Sequence, residues 1–428
     1  MKYFFLCIVF LLVVGCQRSA SSNRDLSTCD TNIALAYPLQ TGQQNVFAYE
    51  NIATQPSTFY YDDGFYKMGY KREFVKEANG TVTNKNYNLQ WQDNEAIKEH
   101  NLTRAEDYCT NLTVGGYNDW RLPNVYELLT LMDLSSMGTV VEKSFENMPS
   151  GLYYSSNKLQ SSKKVYAVGF ENSDFYIKKI DQVYDANQSS EAYGTLVGVE
   201  QIPKYSSKGE LLYISEATIY YKETDNLLTT ITFYKRFDAN GTITSIDGPF
   251  VVQETPLHPP EVKPIEQAYV KCVRGKEIGG FSLERDREKE IVTDSITGLV
   301  WQDNTDVVNY KHQWGEAEQY CSELFLGGYQ DWRLPTISEL ITIVDFNNSA
   351  GTYAVNKAFL YKSANKFHSS SNLCYGENCQ QSNLQLNACG YLDKLVIENR
   401  EVDMNPYDNN ESEPYYKVRC VRCGGYSQ

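Results

Sequence analysis

Histidine and basic charge are both in short supply in this chain, and each shortage excludes a class of function. Lys and Arg total 39 against 54 Asp and Glu, a net charge of −15 over 428 residues. Such a surface repels phosphate, and no Lys/Arg cluster with interleaved aromatics offsets it, so nucleic acid is not an expected partner. The same charge weighs against a sulfated glycan, unless folding gathers a basic patch. His100, His258, His312 and His368 are the only histidines, and they are scattered along the chain. Without a nucleophile and base in a fixed arrangement, no enzyme is expected. After the N-terminus there is no apolar run long enough to span a bilayer, and no EF-hand spacing. The chain has the length for two or three domains with substantial cores.

What is present, twice, is one long segment. Gln90-Trp91-Gln92-Asp93-Asn94, Tyr108-Cys109 and Gly115-Gly116-Tyr117-Asn118-Asp119-Trp120-Arg121-Leu122-Pro123 return as Trp301-Gln302-Asp303-Asn304, Tyr320-Cys321 and Gly327-Gly328-Tyr329-Gln330-Asp331-Trp332-Arg333-Leu334-Pro335. Cys109 and Cys321, like Trp120 and Trp332, stand 212 residues apart. A constant interval means that a whole unit was duplicated. Copy one is expected over 41–274 and copy two over 275–428. Tyrosine is abundant, with 34 residues, and brings rigid contact area with a polar tip to recognition surfaces; compositional drift accounts for it equally well.

The N-terminus sets the compartment. Lys2 and the apolar stretch Tyr3 to Val14 read as a signal peptide over 1–15. Leu12-Val13-Val14-Gly15-Cys16 resembles the bacterial lipobox, which implies cleavage before Cys16 coupled to diacylation of its sulfur, and anchorage to a membrane through its acyl chains. Gln17 after the lipid cysteine resembles lipoproteins sorted to an outer membrane. Residues 16–40, polar at their start, are expected to form a tether.

Cysteine use fits an oxidising compartment. Tyr269-Val270-Lys271-Cys272-Val273-Arg274 parallels Lys417-Val418-Arg419-Cys420-Val421-Arg422, each downstream of its own Tyr-Cys helix. Disulfides Cys109–Cys272 and Cys321–Cys420 are therefore expected, each closing about 100 residues or more and stabilising by about 4 kcal/mol. Cys420-Val421-Arg422-Cys423 admits a redox or zinc reading. No histidine supports it, and a local disulfide framework among Cys374, Cys379, Cys389 and Cys423 is the preferred expectation. Cys29 is left unassigned.

Local patterns place the motifs. Thr41-Gly42-Gln43 and Asp62 to Tyr66 read as turns. Val82 to Trp91 reads as a strand entered from Asn79-Gly80, and Ile291 to Trp301 is its counterpart with a turn at Thr297-Gly298. Ala105, Tyr108, Cys109 and Leu112, and likewise Ala317, Tyr320, Cys321 and Leu324, fall on one helical face. Thr336-Ile337-Ser338-Glu339 is a capping box, and Asn124-Val125-Tyr126-Glu127 is a weaker cap, for second helices over Glu127–Met132 and Glu339–Val344. Copy one is longer by about 64 residues. The excess is expected within 175–265 as a β-rich insertion with strands at Glu210–Tyr221, Leu227–Phe237 and Thr242–Val252.

Asp119, Trp120 and Arg121, with Asp331, Trp332 and Arg333, are the candidate binding residues: Trp can stack on a sugar ring and Arg can fork a carboxylate. The competing reading places Trp in the core and spends Asp and Arg on loop backbone or each other. Asp93-Asn94 and Asp303-Asn304-Asp306 offer oxygens that suit calcium or turn formation. No metal or cofactor is assigned.

The T-G-L-V-W-Q-D-N strand at 297–304, the A-x-x-Y-C helix, G-G-Y-x-D-W-R-L-P-T-x-x-E-L at 327–340 and R-C-V-R at 419–422 together resemble the Lcl C-terminal domain family. Copy one departs at Tyr87-Asn88-Leu89-Gln90 and at Asn124. The R-L-P-T-x-x-E run after an A-x-x-Y helix also resembles formylglycine-generating enzymes and their C-type-lectin-like relatives, in which a disulfide likewise joins first helix to last strand. These resemblances imply an α+β fold of two tandem C-type-lectin-like domains, the first carrying the insertion. The namesake of the family, part of a collagen-like adhesin, binds glycosaminoglycans; no collagen repeat occurs here. The resulting expectation is a lipid-anchored envelope lipoprotein that recognises glycan or protein at the cell surface. A purely structural envelope lipoprotein is the alternative, and a formylglycine-type oxidase is the third.

Overall fold

The computed structural model describes residues 29, 35, 37–44, 62–99, 102–135, 141–158, 164–171, 174–181, 195–207, 210–238, 242–258, 267–312, 314–346, 355–362, 366–375, 378–386, 392–397 and 416–424. The expected signal peptide, Cys16, most of the tether and Cys389 lie outside these residues. Strand outweighs helix, 42% against 16%, so the expected α+β balance shifts towards β.

The chain enters the fold earlier than its polar composition predicts. Tyr37 and Leu39, expected within the tether, are buried, and the Tyr37 ring lies 5.5 Å from Phe281. The apolar surface they remove from water fixes this strap against the body. Asp62 then caps α1 (Asp63–Tyr66), a single helical turn where a plain turn was expected.

Copy one follows as β1 (Phe74–Lys76), β2 (Thr81–Asn84), β3 (Leu89–Gln92), β4 (Ile97–Glu99), α2 (Leu102–Asn111), α3 (Val125–Leu129), β5 (Gly151–Lys158), β6 (Lys164–Glu171) and β7 (Asp174–Asp181). The expected strand Val82–Trp91 is a hairpin, β2 paired antiparallel with β3. Its turn puts Asn88 at φ 54°, a left-handed conformation that Asn tolerates, and copy two has Gly298 at φ 74° in the matching turn. The insertion contributes β8 (Thr195–Tyr205), β9 (Leu211–Lys222), β10 (Leu227–Phe237) and β11 (Ile243–Glu254), a separate antiparallel sheet in the order β11-β10-β9-β8. Three of these strands match expectation, and β8 was not foreseen. β12 (Ala268–Val270) and β13 (Val273–Arg274) close the copy, β13 pairing with β3.

Copy two repeats the plan with β14 (Leu283–Asp286), β15 (Ile291–Asp294), β16 (Val300–Gln302), α4 (Asp306–Asn309), α5 (Trp314–Glu323), α6 (Ile337–Thr342), β17 (Lys366–Tyr375), β18 (Asn378–Leu386), β19 (Leu392–Ile397) and β20 (Val421–Arg422). The sheet β14-β15-β16-β20 reproduces β1-β2-β3-β13. The first helices bury the expected faces, Leu102, Ala105 and Cys109 in α2, and Trp314, Ala317 and Cys321 in α5. The bonds Cys109–Cys272 and Cys321–Cys420 tie each first helix to its closing segment. Both second helices begin two residues before their expected starts, and both carry complete capping boxes.

The copies share their largest core, beside one smaller cluster in each. An eight-stranded sheet runs β17-β18-β19-β7-β6-β5-β12-β4, with β19 of copy two paired to β7 of copy one. One hydrophobic cluster holds Trp91 and Trp301, Val125 and Ile337, and Leu131 and Ile343 together. Tyr126 carries the contact across: its hydroxyl donates to the Val344 carbonyl at 2.5 Å and its ring meets Phe346 at 5.2 Å. Periodicity shows that a face is apolar without showing which partner covers it, hence the difference from two independent domains.

Asp63 joins the strap to copy two. Its Oδ2 accepts from Thr41 Oγ1 at 2.5 Å and from Ser371 Oγ at 2.9 Å. Burial pushes its carboxyl up to about 7, against the two hydroxyl hydrogen bonds, which lower it. A carboxyl raised on folding contributes stability that is full below the unfolded value and is lost as pH rises through the folded value. Thermal unfolding followed from pH 4 to pH 8 is expected to show a falling midpoint in the wild type and a flatter profile in Asp63→Asn. Parallel profiles for the two proteins would contradict this.

Candidate functional site

The repeated Asp-Trp-Arg run is held together by inward contacts. Trp120 and Trp332 are 3% and 1% exposed, too little for ring stacking on a ligand. Each packs in a cluster around the disulfide of its own copy, Cys109–Cys272 or Cys321–Cys420. Their indole N–H groups donate to the backbone carbonyls of Tyr117 at 3.0 Å and Leu326 at 3.3 Å.

Arg121 and Arg333 are spent in the same way. The Arg333 guanidinium forks the Glu339 carboxylate at 2.6 and 2.5 Å and donates to the Cys423 carbonyl at 3.0 Å. Arg121 repeats this on Glu127 at 2.7 and 2.6 Å and on the Gly275 carbonyl at 3.2 Å. Asp119 and Asp331 each receive a forked arginine from the last strand, Arg274 at 2.6 and 3.0 Å and Arg422 at 2.7 and 3.0 Å. Arg274 lies 3.7 Å over the Tyr117 ring and Arg422 3.8 Å over Tyr329. The Arg274 hydrogen bond holds the Asp119 carboxyl below the usual range. The structure therefore brings all six candidate residues to corresponding places and uses them as scaffold, since their rings are covered and their forks are occupied.

The acidic pairs after the tryptophans are equally engaged. Asp303 accepts from Arg285 Nε at 2.5 Å, Arg419 Nη1 at 3.1 Å, and the backbone N–H groups of Leu360 and Tyr361 at 2.9 and 3.2 Å. Asp93 accepts from the N–H groups of Glu146 and Asn147, both at 2.9 Å, and from Lys271 Nζ at 3.2 Å. Burial pushes the Lys271 amine down to about 8, with Asp93 acting against it. Cys420 and Cys423 do not form a dithiol. Cys423 is bonded to Cys29, which corrects the expected local framework for that residue. Cys374 and Cys379 take facing register positions in the β17–β18 hairpin. Among the described residues, the cluster with metal-ligand spacing is Cys29, Cys423 and Asp331. Its sulfurs are consumed in that disulfide, and its carboxylate is consumed by Arg422.

What sequence reading missed is an open groove of about 800 Å³ in copy two. Four cations line it, Arg285, Arg287, Lys357 and Lys362, around Ala358, Phe359 and Leu360. Asp303 builds the site by holding both Arg285 and the backbone at 360–361. Burial lowers the Lys362 amine, an effect that Asp303 opposes. Leu360 is 60% exposed.

Copy one has no such array. The bridges Met132↔Val141 and Val344↔Val355 align the two loops, so Glu146 stands for Leu360 and Met148 for Lys362. Lys76 faces Val82 as Arg285 faces Val292, and Lys76 is ion-paired with Glu146. Copy one thus gives this cation a carboxylate from the loop, whereas copy two holds Arg285 on Asp303, which Arg419 shares. The four cations are spread over 78 positions of sequence, so no local run betrays them; comparing the copies residue by residue was the available signal.

Fold and site together define a duplicated, disulfide-stapled, β-rich protein whose repeated motif is structural. The model of the Lcl C-terminal domain matches residues 80–197 and 290–422, more than half of the chain, and the protein belongs to that family. No curated protein and no solved structure matches it.

Replacing a buried aromatic by Ala typically costs about 3–5 kcal/mol. Trp332→Ala is expected to lose that much unfolding free energy in a denaturant titration. A variant of unchanged stability would return the indole to a ligand-facing role.

Proposed function

We propose that the protein is a membrane-anchored bacterial envelope lipoprotein whose Lcl C-terminal domains recognise glycan or protein at the cell surface, in a C-type-lectin-like arrangement. The cationic groove of copy two carries this reading. It is an open surface on a stapled scaffold, in a chain whose net charge is strongly negative, and two of its four cations, Arg287 and Lys357, are exposed with no ion-pair partner among the described residues. The lipobox-like Leu12 to Cys16 supports the anchor. The Cys29–Cys423 bond supports close tethering: residues 16 to 29 span at most about 45 Å when extended. The disulfides from first helix to closing strand are consistent with lectin-like units. An oxidase of the formylglycine type would need a free thiol pair in a cleft, whereas Cys420 and Cys423 are both bonded elsewhere.

Membrane fractionation and arrays test the proposal. The wild type is expected in the membrane fraction, and a variant starting at Gln17 behind a cleavable leader that lacks the lipobox in the soluble fraction. The soluble variant is expected to mark a discrete set of spots on glycan or protein arrays. Silence on both arrays would remove the recognition role.

A further inference from the structure

We propose that the copy-two groove docks an extended acidic peptide segment of a partner protein, with carboxylates on the cations and an apolar side chain against Leu360. The inference rests on the recognition role above and names its ligand class. Charge complementarity carries it. Arg287 and Lys357 are exposed and have no ion-pair partner among the described residues, while Arg285 and Lys362 complete the cationic lining.

Copy one shows what such a position accepts. There a glutamate from the chain itself, Glu146, meets the cation of β1, and in copy two its place is taken by Leu360. Copy two has the one carboxylate of Asp303 for Arg285 and Arg419, where copy one has Glu146 and Asp93 for Lys76 and Lys271; a second carboxylate can then be supplied by another molecule, with Leu360 left to contact an aliphatic group.

The lining also discriminates between polymers. It holds no carboxylate, no amide and no exposed aromatic face. Sugar hydroxyls need acceptors as well as donors, and sugar rings favour aromatic platforms; the groove offers cationic donors and aliphatic carbon. A peptide has a further handle. β14, which carries Arg285, is the outermost strand of its sheet, so one row of its backbone N–H and C=O groups has no strand partner among the described residues. An extended peptide can satisfy that row by strand addition.

The test uses the mature chain from Gln17, without the lipid cysteine, and fluorescence anisotropy. The probes are a fluorescein-labelled peptide of alternating glutamate and leucine, its glutamine counterpart, and polygalacturonate as a carbohydrate polyanion. The acidic peptide is expected to bind and to weaken as salt is raised, and the glutamine peptide to bind about tenfold more weakly or less. Leu360→Glu, which restores the copy-one residue at an exposed position, is expected to weaken the acidic peptide about tenfold with an unchanged unfolding midpoint. Arg287→Ala is expected to weaken it in the same direction. Equal binding of both peptides, or insensitivity to both substitutions, overturns the proposal. Preference for polygalacturonate with the same sensitivity to Leu360→Glu would also overturn it while leaving the recognition role standing. Binding of none of the probes overturns it, and the arrays then decide the broader role separately.

Discussion

The structure depends on one buried ion pair made twice, an arginine fork on a helix-capping glutamate. In copy two the Glu339 carboxylate accepts from the Thr336 N–H at 2.8 Å, completing the capping box of α6, while Arg333 grips both its oxygens. The same guanidinium reaches the Cys423 carbonyl, and the Arg333 backbone pairs with Val421. Helix start, loop and closing strand are thereby joined at a single carboxylate. Copy one adds a fourth link, as Glu127 Oε1 accepts from the Ile278 N–H at 3.1 Å and so fixes the passage into copy two. A charge pair this deeply buried adds little over an apolar filling, yet losing either member strands the other without compensation. That asymmetry explains why the arginine and the glutamate are the same in both copies.

With the motif committed to the scaffold, difference between the copies becomes the informative signal. The positions that hold the fold match residue for residue, Trp91 with Trp301 and Asp93 with Asp303. The positions around the groove match only in part: Lys143 and Phe145 return as Lys357 and Phe359, but Glu146 gives way to Leu360 and Met148 to Lys362. A duplicated unit can keep one copy neutral and let the other acquire a charged surface, because exposed substitutions away from the core cost little stability. The insertion sheet β8–β11 is a second divergence, built outside the shared core.

Much of the scaffold was legible in the sequence because it is written in short-range chemistry. Repeated spacing identified Cys109–Cys272 and Cys321–Cys420, helical periodicity placed α2 and α5, and Thr336 with Glu339 announced a cap. Long-range pairings were not legible. Cys29–Cys423 closes 394 residues and has no counterpart in copy one. The contact of Tyr126 with Val344 and Phe346 depends on which apolar faces meet, and a pattern of apolar residues does not specify that. β8 escaped because Gly198, Pro203 and Lys204 interrupt its β-branched run. Asn88 concealed the first hairpin, since a left-handed asparagine looks like any polar residue until its φ is seen. The two readings of the candidate residues stayed open in the sequence for a chemical reason: Trp and Arg side by side suit a ligand platform and a buried fork equally well, and burial alone separates the two.

The claim that the repeated motif is scaffold is tested most directly by a double-mutant cycle on Arg333 and Glu339. Unfolding free energies of the wild type, Arg333→Met, Glu339→Gln and the double variant give the coupling between the two side chains. A pair buried to 1% exposure on both sides should couple by about 2–3 kcal/mol, with each single change costing more than the double change adds to it. A coupling near zero would mean that the fork does not hold the fold, and would contradict the account.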